Sequence, residues 1–424
     1  MAEQRADVVV IGAGPAGIAA AAIAAEAGRS TLLIDEASAV GGQVWRGGAS
    51  RESRQARAWR VRLERSGARL LADATVLDVE SSTTLIAEQR GRRVRVRADV
   101  GVVLAVGARE LFLPFPGWTL PNVIGAGGAQ ALLKSGWTVR GRSVVVAGTG
   151  PLLMPVAAAL AAAGARLRMV AEQAPSPVVR RFALGLWRSP ARVVDAVRYR
   201  SLFARTAYRT GTWVLRAAGD SRLRDVVLTN GSATRTLACD VLCIGYGLVP
   251  AVELAVLFGC EIRSSAVMVD ELQRTSVGGV YCAGEATGIA GRDAALVQGA
   301  IAGLALCGRE TEAGDLFAAR ARHAAFARRV ARDFALRDDV LHLADADTIV
   351  CRCEDVTYGS IATCTSLREA KLVTRAGMGA CQGRVCGPAL RQIHGWGRDS
   401  VRPPLTPTRV ETLAGETPLE EDPE

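Results

Sequence analysis

Four cysteines near the C-terminal end of this sequence stand in two close pairs. The first pair is Cys351 and Cys353, and the second pair, Cys381 and Cys386, follows after 27 residues. Thiolates arranged in this way are typical ligands of iron–sulfur clusters and of zinc. Paired zinc ligands are usually separated by two to four residues, and the first pair is tighter than that. The spacing therefore favours a [2Fe–2S] cluster held by these four cysteines, with structural zinc or reduced structural cysteines as the alternatives and Cys364 as a separate buried thiol.

A glycine-rich segment near the N-terminus, Gly12-Ala13-Gly14-Pro15-Ala16-Gly17, has the spacing of a dinucleotide-binding turn. In such a turn the first glycine permits the sharp bend, the second lets the backbone approach a pyrophosphate, and the third allows a helix to pack on a strand. The phosphates then lie at the positively polarised N-terminus of that helix. Asp35 follows Gly12 by 23 residues, where an acid can bind the ribose hydroxyls.

Three later segments favour FAD over NAD at this turn. They are Gly41-Gly42-Gln43, Leu104-Ala105-Val106-Gly107 and the downstream segment 279–285. The last resembles the second FAD fingerprint of flavoenzymes with two dinucleotide domains, in which an acid binds the ribityl chain, and Glu285 stands at that position. The residues predicted to bind FAD are Gly12, Gly14, Pro15, Ala16, Gly17, Asp35, Glu36, Gly42, Gln43, Val76, Val106, Gly107, Gly284 and Glu285.

A second glycine turn begins at position 148 and departs from the pattern. Gly148 and Gly150 match the first two glycines, and Glu172 keeps the acid that would bind ribose. Leu153 replaces the third glycine, and its bulk would push the helix away from the strand. We therefore predict a second nucleotide site at Gly148, Gly150 and Glu172 that binds NAD(P), another adenine nucleotide, or nothing.

Strands and helices alternate around both turns, which predicts an α/β fold with parallel sheets covered by helices. In the first unit we expect the strand 7–11, the helix 15–27 and the strand 30–34; in the second, the strand 144–147, the helix 151–163 and the strand 166–170. Other expected elements are strands at 93–97, 102–106, 240–244 and 280–283, a helical insertion without strands at 175–217, a helix at 293–306, one long connector helix at 312–336, and a flexible tail from Pro403.

Bulk composition narrows the functional classes. The chain has 424 residues, 49% of them hydrophobic, and a formal net charge of +10 that comes almost entirely from scattered arginines. Because the arginines form no patch interleaved with aromatic residues, nucleic-acid binding is not expected. We expect no transmembrane segment and no targeting segment, because glycines and a proline interrupt the apolar stretch near the N-terminus.

No side chain is predicted to be catalytic. The three histidines, His323, His342 and His394, follow no nucleophile pattern. A Cys-x-x-Cys pair after Gly42, which disulfide reductases of similar fold carry, is missing from the sequence. The chemistry is therefore expected to reside in the cofactors, which the protein positions and tunes.

The segment Thr374–Cys386, together with Cys351-Arg352-Cys353-Glu354, closely resembles the [2Fe–2S] domain of bacterioferritin-associated ferredoxin (BFD-like). More narrowly, it is similar to the version in the α (A) subunits of opine oxidases, hydrogen cyanide synthase and D-hydroxyproline dehydrogenase. Segments 41–43, 114–118 and 243–247 extend that resemblance through the FAD domain, so that it covers the chain up to about Pro404.

The resemblance implies an electron-transfer subunit of a heteromeric amine or imino-acid dehydrogenase. A β subunit similar to D-amino-acid oxidase would oxidise the substrate with its own FAD, and some members include a small ferredoxin-like third subunit. The protein would be a hetero-oligomer in the cytoplasm, with peripheral attachment to the inner membrane left open. Two alternatives remain at this point: a self-contained NAD(P)H-dependent flavin reductase of a ferredoxin-like acceptor, and a non-catalytic scaffold subunit.

These motifs predict a two-dinucleotide-domain flavoprotein with a small, mostly helical C-terminal [2Fe–2S] domain. The expected division is an FAD domain in two parts, 1–115 and 239–310; a nucleotide-binding domain with a helical insertion, 116–238; a connector helix, 311–345; the cysteine module, 346–402; and the tail, 403–424.

Overall fold

The computed structural model describes residues 2–46, 53–397 and 400–414. Contacts between Cα atoms divide the chain into two compact units. Unit 1 comprises residues 1–109, 249–327 and 400–424, and unit 2 comprises residues 110–248 and 328–399. The predicted boundaries near 115 and 238 lie within ten residues of the points where the chain passes between the units, after residues 109 and 248. The finer six-part division stays a prediction.

Unit 1 is built on a sheet in which seven of the described strands pair. Their order is Arg69–Leu71, Thr31–Ile34, Ala2–Ile11, Arg92–Leu104, Thr84–Gln89 and Ala74–Ser81, with Val280–Cys282 also paired to Arg92–Leu104. The first four strands in this order run parallel to one another. The strands 74–81 and 84–89 form an antiparallel hairpin, and 84–89 is also antiparallel to 92–104. A single strand over 92–104 replaces the two strands predicted there. Its first half alternates between buried and exposed residues, and its last four residues are buried on both faces.

Helices cover this sheet with small residues at the contact. The helix Pro15–Glu26 is almost wholly buried and packs on the helix Arg292–Leu306. A Cβ on Gly299 would lie 2.1 Å from the Ala16 carbonyl oxygen, and one on Gly303 would lie 2.8 Å from that of Ala20. These glycines therefore set the close approach of the two helices. Further helices in unit 1 are Arg54–Ser66, Glu253–Leu257, Glu310–Gly314 and Val410–Ala414.

Unit 2 contains a five-stranded parallel sheet among its described strands. The order is Tyr208–Thr210, Arg166–Glu172, Ser143–Gly148, Val241–Gly245 and Val123–Gly125. The helices Ala126–Lys134 and Leu153–Ala162 pack on it. A separate antiparallel sheet joins Trp213–Ala218, Asp225–Thr229 and Thr234–Ala238. The insertion is helical over Ser176–Leu184 and Pro190–Leu202, but the prediction that it lacks strands was wrong, because the strands at 208–210 and 213–218 lie within it.

Two other predictions also differ from the structure. The expected connector helix at 312–336 is broken: one helix ends at Gly314, and the next, Phe317–Asp333, forms the connector helix. The tail is ordered where it is described, because the Leu405 amide donates to the Leu77 carbonyl and residues 410–414 are helical. Residues 415–424 lie outside the described part of the chain. In that part, no helix is both long and apolar enough to cross a membrane.

The cysteine module contains two short strands, Ile349–Cys351 and Val356–Thr357, and two helices, Leu367–Thr374 and Cys386–His394. Its core consists of nine buried residues, and Cys351 and Cys386 are two of them. The Trp118 indole Nε1 donates to the Ile349 carbonyl oxygen at 2.6 Å, which ties the module to the rest of unit 2.

Candidate functional site

The first glycine turn lies in unit 1 between the strand Ala2–Ile11 and the helix Pro15–Glu26. Gly12 has a φ of +101°, and a Cβ there would lie 2.4 Å from the Ala105 carbonyl oxygen. A Cβ on Gly17 would lie 1.8 Å from the Gly12 oxygen, so the helix contacts the turn directly. Around Gly14, by contrast, a Cβ would meet nothing within 4 Å. The two outer glycines therefore satisfy packing, and the middle one leaves space for a ligand.

No side chain caps the helix that begins at Pro15. Its first backbone N–H groups are therefore oriented toward the space beside Gly14, which suits the phosphates of a dinucleotide. The Gly41 amide donates to the Ala13 carbonyl at 2.8 Å, and a Cβ on Gly42, whose φ is +55°, would lie 2.9 Å from the Gly14 Cα. The segment that contains Gly42 and Gln43 thus lies against the first turn.

Asp35 and Glu36 follow directly on the strand Thr31–Ile34 of unit 1. The Asp35 carboxylate accepts hydrogen bonds from the backbone N–H groups of Ala13 and Ala37, the latter at 2.8 Å, and it remains partly exposed. Glu36 and Gln43 are exposed. Asp35 consequently holds the glycine turn in place and keeps part of its surface available to a ribose.

The downstream fingerprint packs on the same helix. A Cβ on Gly284, whose φ is +82°, would lie 2.9 Å from the Ala16 Cβ. The Gly284 amide donates to the Gln298 Oε1 at 2.9 Å. Burial raises the pKa of Glu285, which lies next to that glycine, and the Gly291 amide partly offsets this effect. Sequence reasoning missed Gln298, although it is the only uncharged polar side chain in the helix Arg292–Leu306.

The remaining residues predicted to bind FAD occupy two places in unit 1. Val106 and Gly107 follow directly on the strand Arg92–Leu104, and Gly107 has a φ of +71°. Val76 lies on the strand Ala74–Ser81 and is buried in the hydrophobic core of the unit. Flavin binding by these individual residues stays a prediction.

The second glycine turn, Gly148–Leu153, lies in unit 2 and differs in its geometry. Gly148 has a φ of +145°, and a Cβ there would lie 2.0 Å from the Gly245 carbonyl oxygen. The helix begins only at Leu153, whose side chain is fully buried and lies 3.5 Å from the position of a Cβ on Gly245. The bulk of this leucine is thus accommodated opposite a glycine.

Glu172 accepts hydrogen bonds from the Gly150 amide at 2.7 Å, the Ala174 amide at 2.9 Å and the Thr149 hydroxyl at 3.1 Å. Its side chain is fully buried, and this burial raises its pKa to about 7. Its carboxylate is therefore engaged with its own backbone rather than open to a ribose.

The four predicted cysteine ligands line one cavity of about 340 Å³ in unit 2. Cys351 and Cys386 are buried, Cys381 is half-buried and Cys353 is exposed. The remaining lining residues are Phe112, Trp118, Arg352 and Val385. Cys364 lies outside this lining and is half-buried rather than buried as predicted. The chain thus brings together thiols that are up to 35 positions apart.

Hydrogen bonds and glycines shape this cavity. The Cys386 thiol donates to the Cys351 sulfur, and the Gly377 amide approaches the same sulfur at 3.5 Å. These contacts lower the pKa of Cys351 to about 5, against the opposing effect of burial. A Cβ on Gly379 would lie 2.2 Å from the Cys353 Cβ, so only glycine fits there. Sequence reasoning missed Phe112 and Trp118, which lie more than 200 positions before the cysteines.

Four cysteine sulfurs at one cavity, with the Gly377 amide directed at one of them, are a donor set that suits an iron–sulfur cluster. In the arrangement of the described side chains, no three of His, Cys, Asp and Glu already form a metal-ion site. The histidines have structural roles where their contacts are defined: His394 stacks between Tyr358 and Trp396, and His342 Nδ1 lies 2.9 Å from the Asp338 carbonyl oxygen.

Two glycine turns on parallel sheets, one of them open to a ligand, define a flavoprotein oxidoreductase built from two dinucleotide-binding folds. The chain belongs to the pyridine nucleotide-disulphide oxidoreductase family, whose model matches residues 6–303. The predicted fold class is thereby confirmed.

Two curated relatives cover most of the chain. It is 33% identical to an opine oxidase subunit from Rhizobium meliloti (strain 1021), over 96% of this chain and 98% of that protein. It is 32% identical to hydrogen cyanide synthase subunit HcnB from Pseudomonas protegens, over 89% of each. These matches confirm the predicted family resemblance.

Among solved structures, L-proline dehydrogenase from P. horikoshii aligns with a TM-score of 0.69 and 18% sequence identity, over 97% of this chain and 80% of that one. At this identity the likeness supports the fold alone.

Proposed function

We propose that this chain is the FAD- and [2Fe–2S]-containing electron-transfer subunit of a heteromeric amine or imino-acid dehydrogenase of the opine or D-hydroxyproline type. It receives electrons from a partner similar to D-amino-acid oxidase and passes them to an acceptor. The observation that carries this proposal is the convergence of Cys351, Cys353, Cys381 and Cys386 on one cavity of a flavoprotein.

FAD would supply a two-electron acceptor and the [2Fe–2S] cluster a one-electron carrier, so that a two-electron oxidation can feed a single-electron acceptor. The chain's own residues hold these groups. Gly14 and the helix N-terminus at Pro15 would bind the pyrophosphate, and Asp35 fixes the turn. At the cysteines, Phe112 and Trp118 contribute to the lining of the cavity, and the Gly377 amide donates to the Cys351 sulfur.

The relatives named above are subunits of an opine oxidase and of a hydrogen cyanide synthase. Their names favour a hetero-oligomer in which a second subunit carries the substrate pocket. This division of labour agrees with the lack of a predicted catalytic side chain in the chain itself. The experiments below decide between this proposal and the two alternatives, an NAD(P)H-dependent flavin reductase and a scaffold.

The first experiment measures metal content in anaerobically purified protein. We expect flavin bands over broad cluster absorption, with about two irons and two acid-labile sulfides per chain. Serine substitution of Cys351, Cys353, Cys381 or Cys386 should in each case abolish the iron and sulfide and retain the flavin. Cys364→Ser is the matched control and should keep both. Zinc in place of iron would exclude the cluster and the relay with it, and full iron in all four variants would exclude these cysteines as its ligands.

The second experiment tests the partner. The chain is purified with a co-expressed protein similar to D-amino-acid oxidase and mixed anaerobically with N-substituted amino acids and imino acids. Reduction of the flavin and the cluster by one of these amines, dependent on the co-expressed partner, is expected. Equal reduction by NADH in the chain alone would favour the flavin reductase instead.

A further inference from the structure

The segment that follows the connector helix lies against the second glycine turn, and both belong to unit 2. We call the segment Phe334–Arg337 the latch. A Cβ on Gly150 would lie 3.8 Å from the Cβ and Cγ of Phe334, which is van der Waals contact. The Phe334 ring packs edge-on against Phe182 at a centroid distance of 4.8 Å and is buried. The surface where a pyrophosphate would meet the backbone of Gly150 is therefore covered by a phenylalanine.

Peptide groups of the latch also form hydrogen bonds with Thr149 of the turn and with Gln173, which follows the strand Arg166–Glu172. The Thr149 hydroxyl shares its one proton between the Glu172 carboxylate at 3.1 Å and the Phe334 carbonyl at 3.2 Å, and the Gln173 Nε2 donates to the Ala335 carbonyl at 2.9 Å. The Arg337 amide donates back to the Gln173 Oε1 at 3.2 Å. Gln173 and Glu172 are both fully buried, so neither side chain faces solvent from which a nucleotide could enter.

Charged groups anchor both ends of the latch. The carboxylate of Asp333, which is buried, pairs with Arg181 at 2.8 Å and with Arg332 at 2.9 Å. At the other end, the Arg337 guanidinium lies 4.6 Å from the centre of the Trp213 ring. Displacing the latch would therefore expose an aromatic ring and disturb the ion pair between the buried Asp333 carboxylate and Arg181.

The first glycine turn offers a direct comparison within the same chain. The space beside Gly14 is empty to 4 Å, whereas the corresponding space beside Gly150 holds Phe334. In each turn one amide donates to the acid of the following strand, but this is the Ala13 amide in the first turn and the amide of the middle glycine itself, Gly150, in the second.

We infer that the second dinucleotide site of this protein is closed by its own latch and does not bind NAD(P) or another adenine nucleotide. The residues present thus do not fit the nicotinamide nucleotide that the family name implies. The latch occupies the place of the nucleotide and fixes the segment that leads into the cysteine module. Electrons consequently do not enter through NAD(P)H.

The test uses the flavin-loaded, iron-containing protein in calorimetric titrations with NAD⁺, NADH, NADPH and ATP. The wild type should show no saturable binding up to about 1 mM of any of them, because the population of an open site is small. Phe334→Ala should bind at least one of these nucleotides with a dissociation constant at least tenfold below about 1 mM. Phe334→Leu, which keeps an apolar cover, is the matched control and should stay closed.

Micromolar binding of a nucleotide to the wild type would overturn the inference. So would failure of Phe334→Ala to bind when its flavin and iron contents equal those of the wild type, because the latch would then not be the cause. Hydrogen exchange gives a measure that needs no variant: the Arg337 amide should exchange slowly, and 1 mM NADH should leave it unchanged. Loss of protection on adding NADH would contradict closure. None of these results depends on the identity of the amine or of the partner.

Discussion

Asp35 and Glu172 stand at equivalent places in the two units. Each lies at the C-terminal end of the strand that follows the glycine turn and its helix. Each accepts a backbone N–H from its turn and another from the residue two positions further on, Ala37 or Ala174. Asp35 is partly exposed, whereas Glu172 is fully buried. The same local pattern therefore gives one acid that can reach a ligand and one that only supports the backbone.

The buried Glu172 predicts a pH dependence of stability. Its pKa is raised from 4.5 to about 7 in the folded chain, so the folded state binds more protons between these values. Its contribution to stability is therefore fully present below pH 4.5 and is lost as the pH rises to about 7, by at most about 3 kcal/mol. Glu172→Gln should lack this component.

Urea unfolding at pH 5 and pH 8 measures this pH-dependent contribution of Glu172 to stability. The stability difference between the wild type and Glu172→Gln should change in favour of the variant on going to pH 8. If the two proteins lose or gain stability in parallel over this range, Glu172 is ionised without penalty and the prediction is wrong.

At the scale of elements, the strand–turn–helix unit at the N-terminus separates two roles of glycine. Gly12 and Gly17 are required because backbone atoms lie where a Cβ would be, whereas Gly14 has open space. The spacing of the glycines predicted all three positions, but only the structure distinguishes packing from ligand access.

This difference can be measured with two alanine substitutions. Gly17→Ala should destabilise the protein by about 3 kcal/mol or more, because the new methyl group overlaps the Gly12 oxygen. Gly14→Ala should change the stability of the flavin-free protein by no more than about 1 kcal/mol, the range of a helix N-cap substitution. It should nevertheless weaken FAD binding at least tenfold.

Thermal unfolding of the flavin-free proteins measures the change in stability, and fluorescence titration with FAD measures the change in flavin affinity. Tight FAD binding by Gly14→Ala would place the flavin elsewhere. A stable Gly17→Ala would show that the helix can shift away from the turn.

At the scale of the whole molecule, the chain crosses between the two units several times, and the cysteine module is a short addition to unit 2. Its hydrophobic core has nine buried members, two of them cysteines predicted to bind the cluster. Cores of this size rarely fold stably without a metal or a covalent link. The module should therefore depend on its cluster for local order.

Removal of iron tests this dependence. After anaerobic treatment with a chelator, limited proteolysis should cut within residues 348–397, while peptides from residues 2–46 stay protected and flavin stays bound. Mass spectrometry of the fragments locates the cuts. An unchanged pattern of fragments would mean that the module folds on its apolar core alone.

Several features of this protein follow from the sequence by itself. Alternating apolar strands and helices, with glycines at fixed offsets, determine the two β-α-β units, because hydrogen bonds and packing within about 35 residues decide them. The cysteine pairs likewise indicate a thiolate site. Local patterns located the long helices but missed the break after Gly314 and the strands in the insertion, where tertiary contacts outweigh propensity.

Only the tertiary structure decided which glycine turn is open. The Thr149 hydroxyl meets the Phe334 carbonyl across 185 positions, and Trp118 reaches Ile349 across 231. No periodicity or motif encodes such pairs, because each side chain is ordinary within its own segment. Their meeting depends on how whole elements pack, and burial and hydrogen bonding act on atoms that are close in space irrespective of their distance along the chain.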